Sequence, residues 1–253
     1  MTGFSIFKEE TRFKAFFLSL LLSAIGYGLY KGVIDNYMAE VVTMNELDRG
    51  LTEFFRELPG LLLIVVLAIF YRFSAERMYK MGLVIMVIGM TLQAVVAPAK
   101  ALVMGVIFLY SMGEHIQLGM KNTLSLEYSK RGYGGQALGY QSSIYQIGNL
   151  AGYIAVIAAF ALVPNTTLFK PVFAVAAGFM VLAMLASFRL NSNSKKSDPK
   201  NRFYFKKKFR KYYMLEVFYG ARKQVFFTFG PYVLILFYGA DAGVISLLFS
   251  ISA

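Results

Sequence analysis

Residues 13–34 read FKAFFLSLLLSAIGYGLYKGVI, and this apolar run decides the fold because six others of similar length follow it. A helix needs about 20 apolar residues to cross the hydrocarbon core of a bilayer, and soluble helices are rarely apolar on all sides over that length. An eighth run begins near Gly243. The pattern predicts an all-α membrane protein with a six-helix transmembrane bundle, a seventh helix and part of an eighth. The other six runs are residues 54–73, 81–98, 102–119, 138–164, 169–188 and 212–238.

The composition agrees with this fold class. Hydrophobic residues make up 57% of the 253 residues and charged residues 16%, whereas about a quarter of the residues in a soluble domain are charged. The absence of cysteine excludes disulfides and thiolate metal sites, and a single histidine is too few for a zinc cluster. We therefore expect no metal and no cofactor. No small-x-small cleavage site follows the first run, which predicts a retained span rather than a signal peptide.

The basic residues indicate the orientation of the chain in the membrane. Most of the 26 lysines and arginines lie before the first run and in every second gap between runs, while the gap at 35–52 is acidic. Cytoplasmic loops of membrane proteins are rich in Lys and Arg. We therefore expect the N-terminus, the fourth gap with Lys121 and Lys130, and the sixth gap in the cytoplasm. The membrane is expected to be the plasma membrane, in a bacterium the inner membrane.

The sixth gap is the natural boundary between two parts of the chain. Residues 191–201 read NSNSKKSDPKN, a hydrophilic and turn-rich stretch, and basic residues continue to Lys211. We expect residues 1–190 to form the N-terminal bundle, residues 191–211 a basic cytoplasmic linker and residues 212–253 the start of a C-terminal bundle. Interleaved basic and aromatic residues also occur in nucleic-acid-binding patches. A linker near anionic lipid head groups accounts for them better, so the expected partner is the bilayer and not nucleic acid.

An internal repeat crosses this linker. Residues 13–33 align with residues 205–225 at an offset of 192 with seven identities, among them Lys31 with Lys223. A parallel repeat of two six-helix halves pairs the first helix with the seventh in this way. Six spans, a long basic linker and a seventh span that repeats the first together resemble the major facilitator superfamily of secondary transporters.

The gap after the second run carries a further resemblance to that family. The family signature there is Gly-x-x-x-Asp-Arg/Lys-x-Gly-Arg/Lys-Arg/Lys, and residues 72–81 read RFSAERMYKM. Glu76, Arg77 and Lys80 keep the acidic residue, the basic residue beside it and one later basic residue, while both glycines and the last basic residue are replaced. The resemblance implies that these three residues form a gating-loop motif between the second and third helices.

The resemblance also implies that this sequence is part of a longer one. Members of the family usually have twelve spans, whereas the eighth apolar run here is cut short at the end of the sequence. We expect the missing C-terminal helices to be the intramolecular partner of this chain. We also expect the 253-residue chain alone not to transport.

Basic residues within the spans point to the substrate. Charges inside a bilayer are costly, so each is a candidate for function. The resemblance implies that the first and seventh helices line the substrate cavity, where Lys31 and Lys223 or its neighbour Arg222 would suit an anionic solute such as an organic phosphate. Only one of two adjacent helical residues can face the cavity squarely, so Arg222 and Lys223 are rivals. Alternatively, Lys31 extends toward the surface or pairs with Asp35, one turn along.

Span four carries Glu114 and His115 near its middle, which suit a proton relay because a buried carboxyl and an imidazole both titrate near neutrality. A structural ion pair is the alternative. In span five, Gln146 is a candidate substrate ligand, whereas Gly148 and Gly152 have the spacing of a helix-packing motif.

A third group of charges lies at the start of the second run. The spacing of Glu53, Arg56 and Glu57 is typical of a local salt-bridge cluster.

The sequence as a whole favours a secondary active transporter of a small solute, with an organic anion as the finer expectation, and not an enzyme. Two alternatives stay open. One is a membrane-embedded enzyme that uses Glu114 and His115 as acid and base. The other is a membrane interaction protein that does not transport. A seven-span receptor is disfavoured because the charges place the N-terminus inside.

Overall fold

The computed structural model describes residues 5–8, 10–163, 166–190 and 206–252, without the side chains of residues 10, 216, 217 and 219–224. The described chain is helical and has no strand beyond one isolated bridge between Phe7 and Ser129. This confirms the predicted all-α class. Its α-helices are α1 (Glu10–Asn36), α2 (Glu46–Ile69), α3 (Ala75–Val95), α4 (Lys100–Tyr128), α5 (Gly134–Leu162), α6 (Phe169–Ser187), α7 (Arg210–Tyr238) and α8 (Ala242–Ser252).

Five helical segments in the described ranges are long and apolar enough to cross a membrane. They are Thr11–Val41, Ala75–Val95, Lys100–Tyr128, Gly134–Leu162 and Thr166–Ser187. The protein is therefore an integral membrane protein. Charged residues interrupt α2, and the described side chains of α7 include an apolar stretch at Val225–Tyr238, so seven full spans stay a prediction. Most of the predicted linker, residues 191–205, lies outside the described residues.

Several helices extend beyond the apolar runs that predicted them. α2 begins eight residues before its run because Asn45 and Asp48 form a reciprocal capping box, with side-chain to backbone distances of 2.9 and 3.1 Å. α4 continues to Tyr128, so the expectation that Lys121 lies in a loop was wrong. Polar residues on the buried face of a helix do not end the helix. An apolar run that is counted only up to a charged residue therefore underestimates the length of the helix.

The expected gating-loop residues also lie on a helix. Ser74 caps α3 by accepting a hydrogen bond from the backbone of Arg77 at 3.3 Å, so α3 begins at Ala75. Glu76 and Lys80 therefore belong to the first turns of α3, and the connection from α2 is shorter than the motif implied. The ammonium of Lys80 donates to the carbonyl of Leu190 at 2.6 Å, which ties α3 to the chain after α6.

Glycines bring α1 and α5 into backbone contact at the centre of the bundle. A Cβ added at Gly148 would lie 2.8 Å from the carbonyl oxygen of Leu21, and one at Gly152 would lie 2.6 Å from that of Ile25. This confirms that the pair serves helix packing. α1 also packs on α6, α3 packs on α4 and α6, and α2 packs on α4. α8 packs on α5 and α1.

Candidate functional site

A cavity of about 300 Å³ lies between α1, α2, α4 and α7. Its wall combines aromatic and charged side chains with few aliphatic ones. A polar cavity between helices of a membrane protein is where a solute or ion pathway is expected. The polar and charged lining residues are Tyr27, Tyr30, Lys31, Asp35, Arg49, Thr52, Glu53, Arg56, Tyr110 and Glu114.

One side of the cavity is a chain of alternating charges that begins on α1. The ammonium of Lys31 donates to Asp35 at 2.9 Å, as their i,i+4 spacing favours. The guanidinium of Arg49 on α2 lies 3.2 Å from the other carboxylate oxygen of Asp35 and 2.8 Å from Glu53. Asp35, Arg49 and Glu53 are all buried. Each charge is thus placed beside an opposite one, which is the condition for tolerating ions out of water.

The chain continues along α2 toward α4. Arg56 lies 2.5 Å from Glu53 and 2.6 Å from Glu57. The predicted salt-bridge cluster of Glu53, Arg56 and Glu57 is confirmed, and it is part of a larger network. At its far end, Nε2 of His115 on α4 lies 3.8 Å from Glu57. Seven titratable side chains therefore connect α1, α2 and α4 along one wall.

The His115 ring is held in a fixed orientation between α4 and α2. Its Nδ1 is 2.9 Å from the carbonyl oxygen of Ser111 and 3.0 Å from the Ser111 hydroxyl, and its Nε2 faces Glu57. Gly60 makes room for the ring, because a Cβ there would lie 2.9 Å from Cδ2 of His115.

Glu114 is the carboxylate of the cavity that stands apart from this chain. It lines the cavity and is half-buried, and among the described side chains none donates a hydrogen bond to it or forms an ion pair with it. Arg56, His115 and Lys121 act on it electrostatically. Among the described side chains, no salt bridge would have to break for this carboxyl group to gain or lose a proton.

A separate ion pair lies outside the cavity, where α2 and α4 begin. The ammonium of Lys100 is 2.6 Å from Asp48, and this contact, with the capping hydrogen bond at Asn45, holds the pKa of Asp48 below its usual range. A lowered carboxyl pKa means that the contact stabilises the fold at neutral pH and that its contribution is lost as the pH falls through the lowered pKa.

α7 and α8 contact α1 and the segment that follows it at the end of the bundle where α1 ends, which we call the Asn36 end. The Tyr232 hydroxyl on α7 donates to the carbonyl of Met44 at 2.9 Å. The side-chain amide of Asn36 donates to the carbonyl of Ala240 at 2.8 Å. Beside them, the ammonium of Lys31 lies 4.8 Å from the ring centroid of Phe249 on α8. We call the opposite end, where α1 begins, the Glu10 end.

The structure brings some of the sequence candidates together and leaves others apart. Lys31 and Glu114 line the cavity, and His115 reaches its wall through Glu57. Lys31 both lines the cavity and pairs with Asp35, so the two expectations for it coexist. Gln146 on α5 is exposed, accepts a hydrogen bond from Asn149 at 3.0 Å and is not in the cavity wall. The side chains of Arg222 and Lys223 lie outside the described residues.

Several site residues were missed by the sequence analysis. Arg49 was assigned to a gap between spans, although its i,i+4 spacing to Glu53 was a usable signal. The cluster of tyrosines gave no signal, because aromatic residues are common throughout the chain. Lys121 was assigned to a loop. The missed tyrosines are Tyr27, Tyr30 and Tyr110.

The comparisons with known proteins give a fold and no close relative. No family model matches the sequence, and no curated protein matches it. Among solved structures, the chain is similar to a crystal structure of a bacterial homologue of the human lysosomal transporter Spinster, in an inward-facing and unoccupied conformation. The TM-score is 0.66 at 13% identity, over 97% of this chain and 60% of that one.

The chain has the major facilitator fold. The Spinster homologue is a transporter of the major facilitator type, so the predicted resemblance is confirmed at the level of fold. At 13% identity the likeness extends to the fold alone. This chain spans 60% of the length of that transporter.

Proposed function

We propose that the protein is a secondary active transporter that moves a small solute across the membrane by alternating access. The observation that carries this proposal is the cavity of about 300 Å³, lined by paired and unpaired charges and enclosed by α1, α2, α4 and α7 in a major facilitator fold. Buried charges are costly to keep in a membrane, so a charged cavity between membrane helices is a candidate for function.

The proposed division of the chain follows the sequence. Residues 1–190 are the N-terminal bundle, residues 191–211 a basic cytoplasmic linker and residues 212–253 the start of the C-terminal bundle. α7 and α8 then approach the N-terminal bundle across the substrate pathway, and the hydrogen bonds at the Asn36 end are a gate that opens and closes. The proposed location is the bacterial inner membrane with the N-terminus in the cytoplasm.

The proposed solute is an organic anion. Lys31 lines the cavity, and Lys223 or Arg222 on α7 occupies the repeat-related position in the sequence. Glu114 is the proposed proton-coupling group because it faces the cavity without a salt-bridge partner among the described side chains, and His115 is a second candidate through its contact with Glu57. Glu76, Arg77 and Lys80, at the start of α3, are proposed to act in gating.

Uptake into proteoliposomes tests this proposal. Because the 253-residue chain alone is expected not to transport, the full-length protein is purified and reconstituted, and the uptake of radiolabelled citrate, glycerol 3-phosphate and glycerol is measured with and without a pH gradient. We expect saturable uptake of an anionic solute and none of glycerol. The matched control is Lys170→Ala, which removes an exposed lysine at the start of α6 and should leave uptake unchanged. Uptake no faster than in protein-free liposomes for every solute would refute the proposal.

A further inference from the structure

Lys121 is a buried cation outside the network of ion pairs. It lies on α4, and only 7% of its surface is exposed. Its ammonium nitrogen is 3.6 Å from the ring centroid of Tyr145 on α5, a close cation–π contact. The sequence predicted a cytoplasmic loop at this position, and Lys121 was assigned only to that loop. Its position inside a membrane helix makes it a candidate for function.

No counter-ion accompanies this lysine among the described side chains. No carboxylate there lies within 4.0 Å of the Lys121 ammonium, and Glu114, two helical turns away, acts on it only through space. Lys31, by contrast, is already neutralised by Asp35 at 2.9 Å. A ring face replaces only part of the water that an ammonium loses on burial. Lys121 is therefore better placed than Lys31 to attract an anion.

The lysine lies on the same face of α4 as two residues of the cavity wall. Tyr110, Glu114, Gln117 and Lys121 are spaced by four, three and four residues, which places them on one face of α4. Tyr110 and Glu114 line the cavity, and Lys121 lies about 10 Å beyond Glu114 toward the Glu10 end.

A second connection runs through aromatic rings. Tyr27 lines the cavity, and its ring centroid is 6.1 Å from that of Tyr145, the residue that covers Lys121. The surroundings of the lysine thus adjoin residues of the cavity wall both along α4 and across from α1 to α5.

We infer that Lys121 and Tyr145 form a second anion-binding subsite, which takes the carboxylate or phosphate group of a solute on the Glu10 side of the cavity. Tyr145 covers one side of the ammonium and leaves N–H donors free for the anion. The claim that this anion is the transported solute rests on the proposed function. The claim that an anion binds at this subsite does not. An anionic solute that crosses the protein then meets Lys31 near the Asn36 end and Lys121 nearer the Glu10 end.

The chain contains no tryptophan, so the substitution Tyr145→Trp introduces a single fluorescent reporter that keeps an aromatic face under Lys121. The purified variant is titrated with inorganic phosphate, citrate and, as an uncharged probe, glycerol, at constant ionic strength. We expect a saturable change in emission with phosphate or citrate and none with glycerol. A reporter at Phe237→Trp, exposed on α7, is the control and should not respond.

Substitution of the lysine then tests its role. In the Tyr145→Trp background, Lys121→Met should weaken anion binding by about tenfold or more, and Lys121→Arg should largely keep it. Lys170→Met removes an exposed charge and should change nothing. If the Tyr145→Trp protein shows no saturable response to either anion, the inference is overturned. This outcome does not depend on whether Lys121→Met folds, because the Tyr145→Trp protein retains Lys121. An unchanged affinity in folded Lys121→Met overturns it as well.

This test separates the inference from the proposed function because it measures no flux. Anion binding that depends on Lys121 in a protein that transports nothing would refute transport and leave the subsite standing. Saturable uptake without an anion response at Tyr145→Trp would refute the subsite and leave transport standing.

Discussion

The guanidinium of Arg49 lies 3.2 Å from the carboxylate of Asp35, and this contact joins the end of α1 to the start of α2 inside the protein. The contact joins Nη2 of Arg49 to Oδ1 of Asp35 and is an ion pair without a good hydrogen bond, since this Oδ1 has no hydrogen-bond partner in the described part of the chain. Arg49 also lies 2.8 Å from Glu53. One arginine therefore neutralises two buried carboxylates and is the central member of the charged wall.

Removal of Arg49 should destabilise the protein strongly. Arg49→Met leaves Asp35 and Glu53 with less positive charge, and loss of one partner from a buried ion pair costs about 3–5 kcal/mol. Thermal unfolding in detergent should show a lower midpoint than in the original protein. The double variant Arg49→Met/Asp35→Asn should recover part of the loss. The control is Arg77→Met, at an exposed position on α3. Equal midpoints for Arg49→Met and the control would contradict the ion-pair account.

The contact between α1 and α5 should tolerate no added side chain. Gly152→Ala places a Cβ 2.6 Å from the carbonyl of Ile25 and 2.7 Å from the amide nitrogen of Leu29, so the helices must separate. Overpacking of this kind costs about 1–3 kcal/mol. Gly178→Ala on α6 meets no atom within 4 Å and is the matched control. We expect the unfolding midpoint to fall only for Gly152→Ala, and a fall of the same size in both variants would show that helix packing is not the cause.

Glu114→Gln should abolish proton coupling and leave the stability of the fold unchanged. The carboxamide keeps the size of the side chain but cannot titrate, and the structure describes no salt bridge to Glu114 that would be lost. The unfolding midpoint should stay close to that of the original protein, while uptake driven by a pH gradient should fall to its rate without a gradient. Glu57→Gln is a useful comparison because Glu57 contacts both Arg56 and His115. Full gradient-driven uptake in Glu114→Gln would assign the coupling to another group.

The orientation can be tested in the cysteine-free background. Gly135 is an exposed residue at the start of α5, and Ala99 is an exposed residue just before α4. Cysteines introduced at these two positions lie at opposite ends of the bundle. The basic fourth gap predicts that Gly135 faces the cytoplasm and Ala99 the outside. In sealed cells, a membrane-impermeant thiol reagent should label Ala99→Cys alone. Labelling of Gly135→Cys instead would reverse the orientation.

The sequence predicted what depends on local pattern. Apolar run length was sufficient for the all-α class, and i,i+4 spacing was sufficient for the Lys31–Asp35 contact. The sequence pattern could not predict the Arg49–Asp35 contact, because these two residues meet only after the chain turns between α1 and α2. Lys121 was assigned to a loop because the apolar run of the fourth span ends at Gly119, although the buried face of α4 continues beyond that residue.

Alternating access is the central claim, and locking the Asn36 end tests it most directly. The Asn36 amide and the Ala240 carbonyl, 2.8 Å apart, join the end of α1 to the segment between α7 and α8, and this contact must open if the cavity is to reach both sides. In the double variant Asn36→Cys/Ala240→Cys, a short bifunctional thiol reagent can link the two positions. The control pair is Asp48→Cys/Lys100→Cys, which links α2 to α4 within the N-terminal bundle.

Solute uptake into proteoliposomes is measured before linking, after linking and after reduction. The account predicts that the Asn36–Ala240 link abolishes uptake, that reduction restores it, and that the Asp48–Lys100 link has little effect. Full uptake by protein that stays linked between residues 36 and 240 would contradict alternating access.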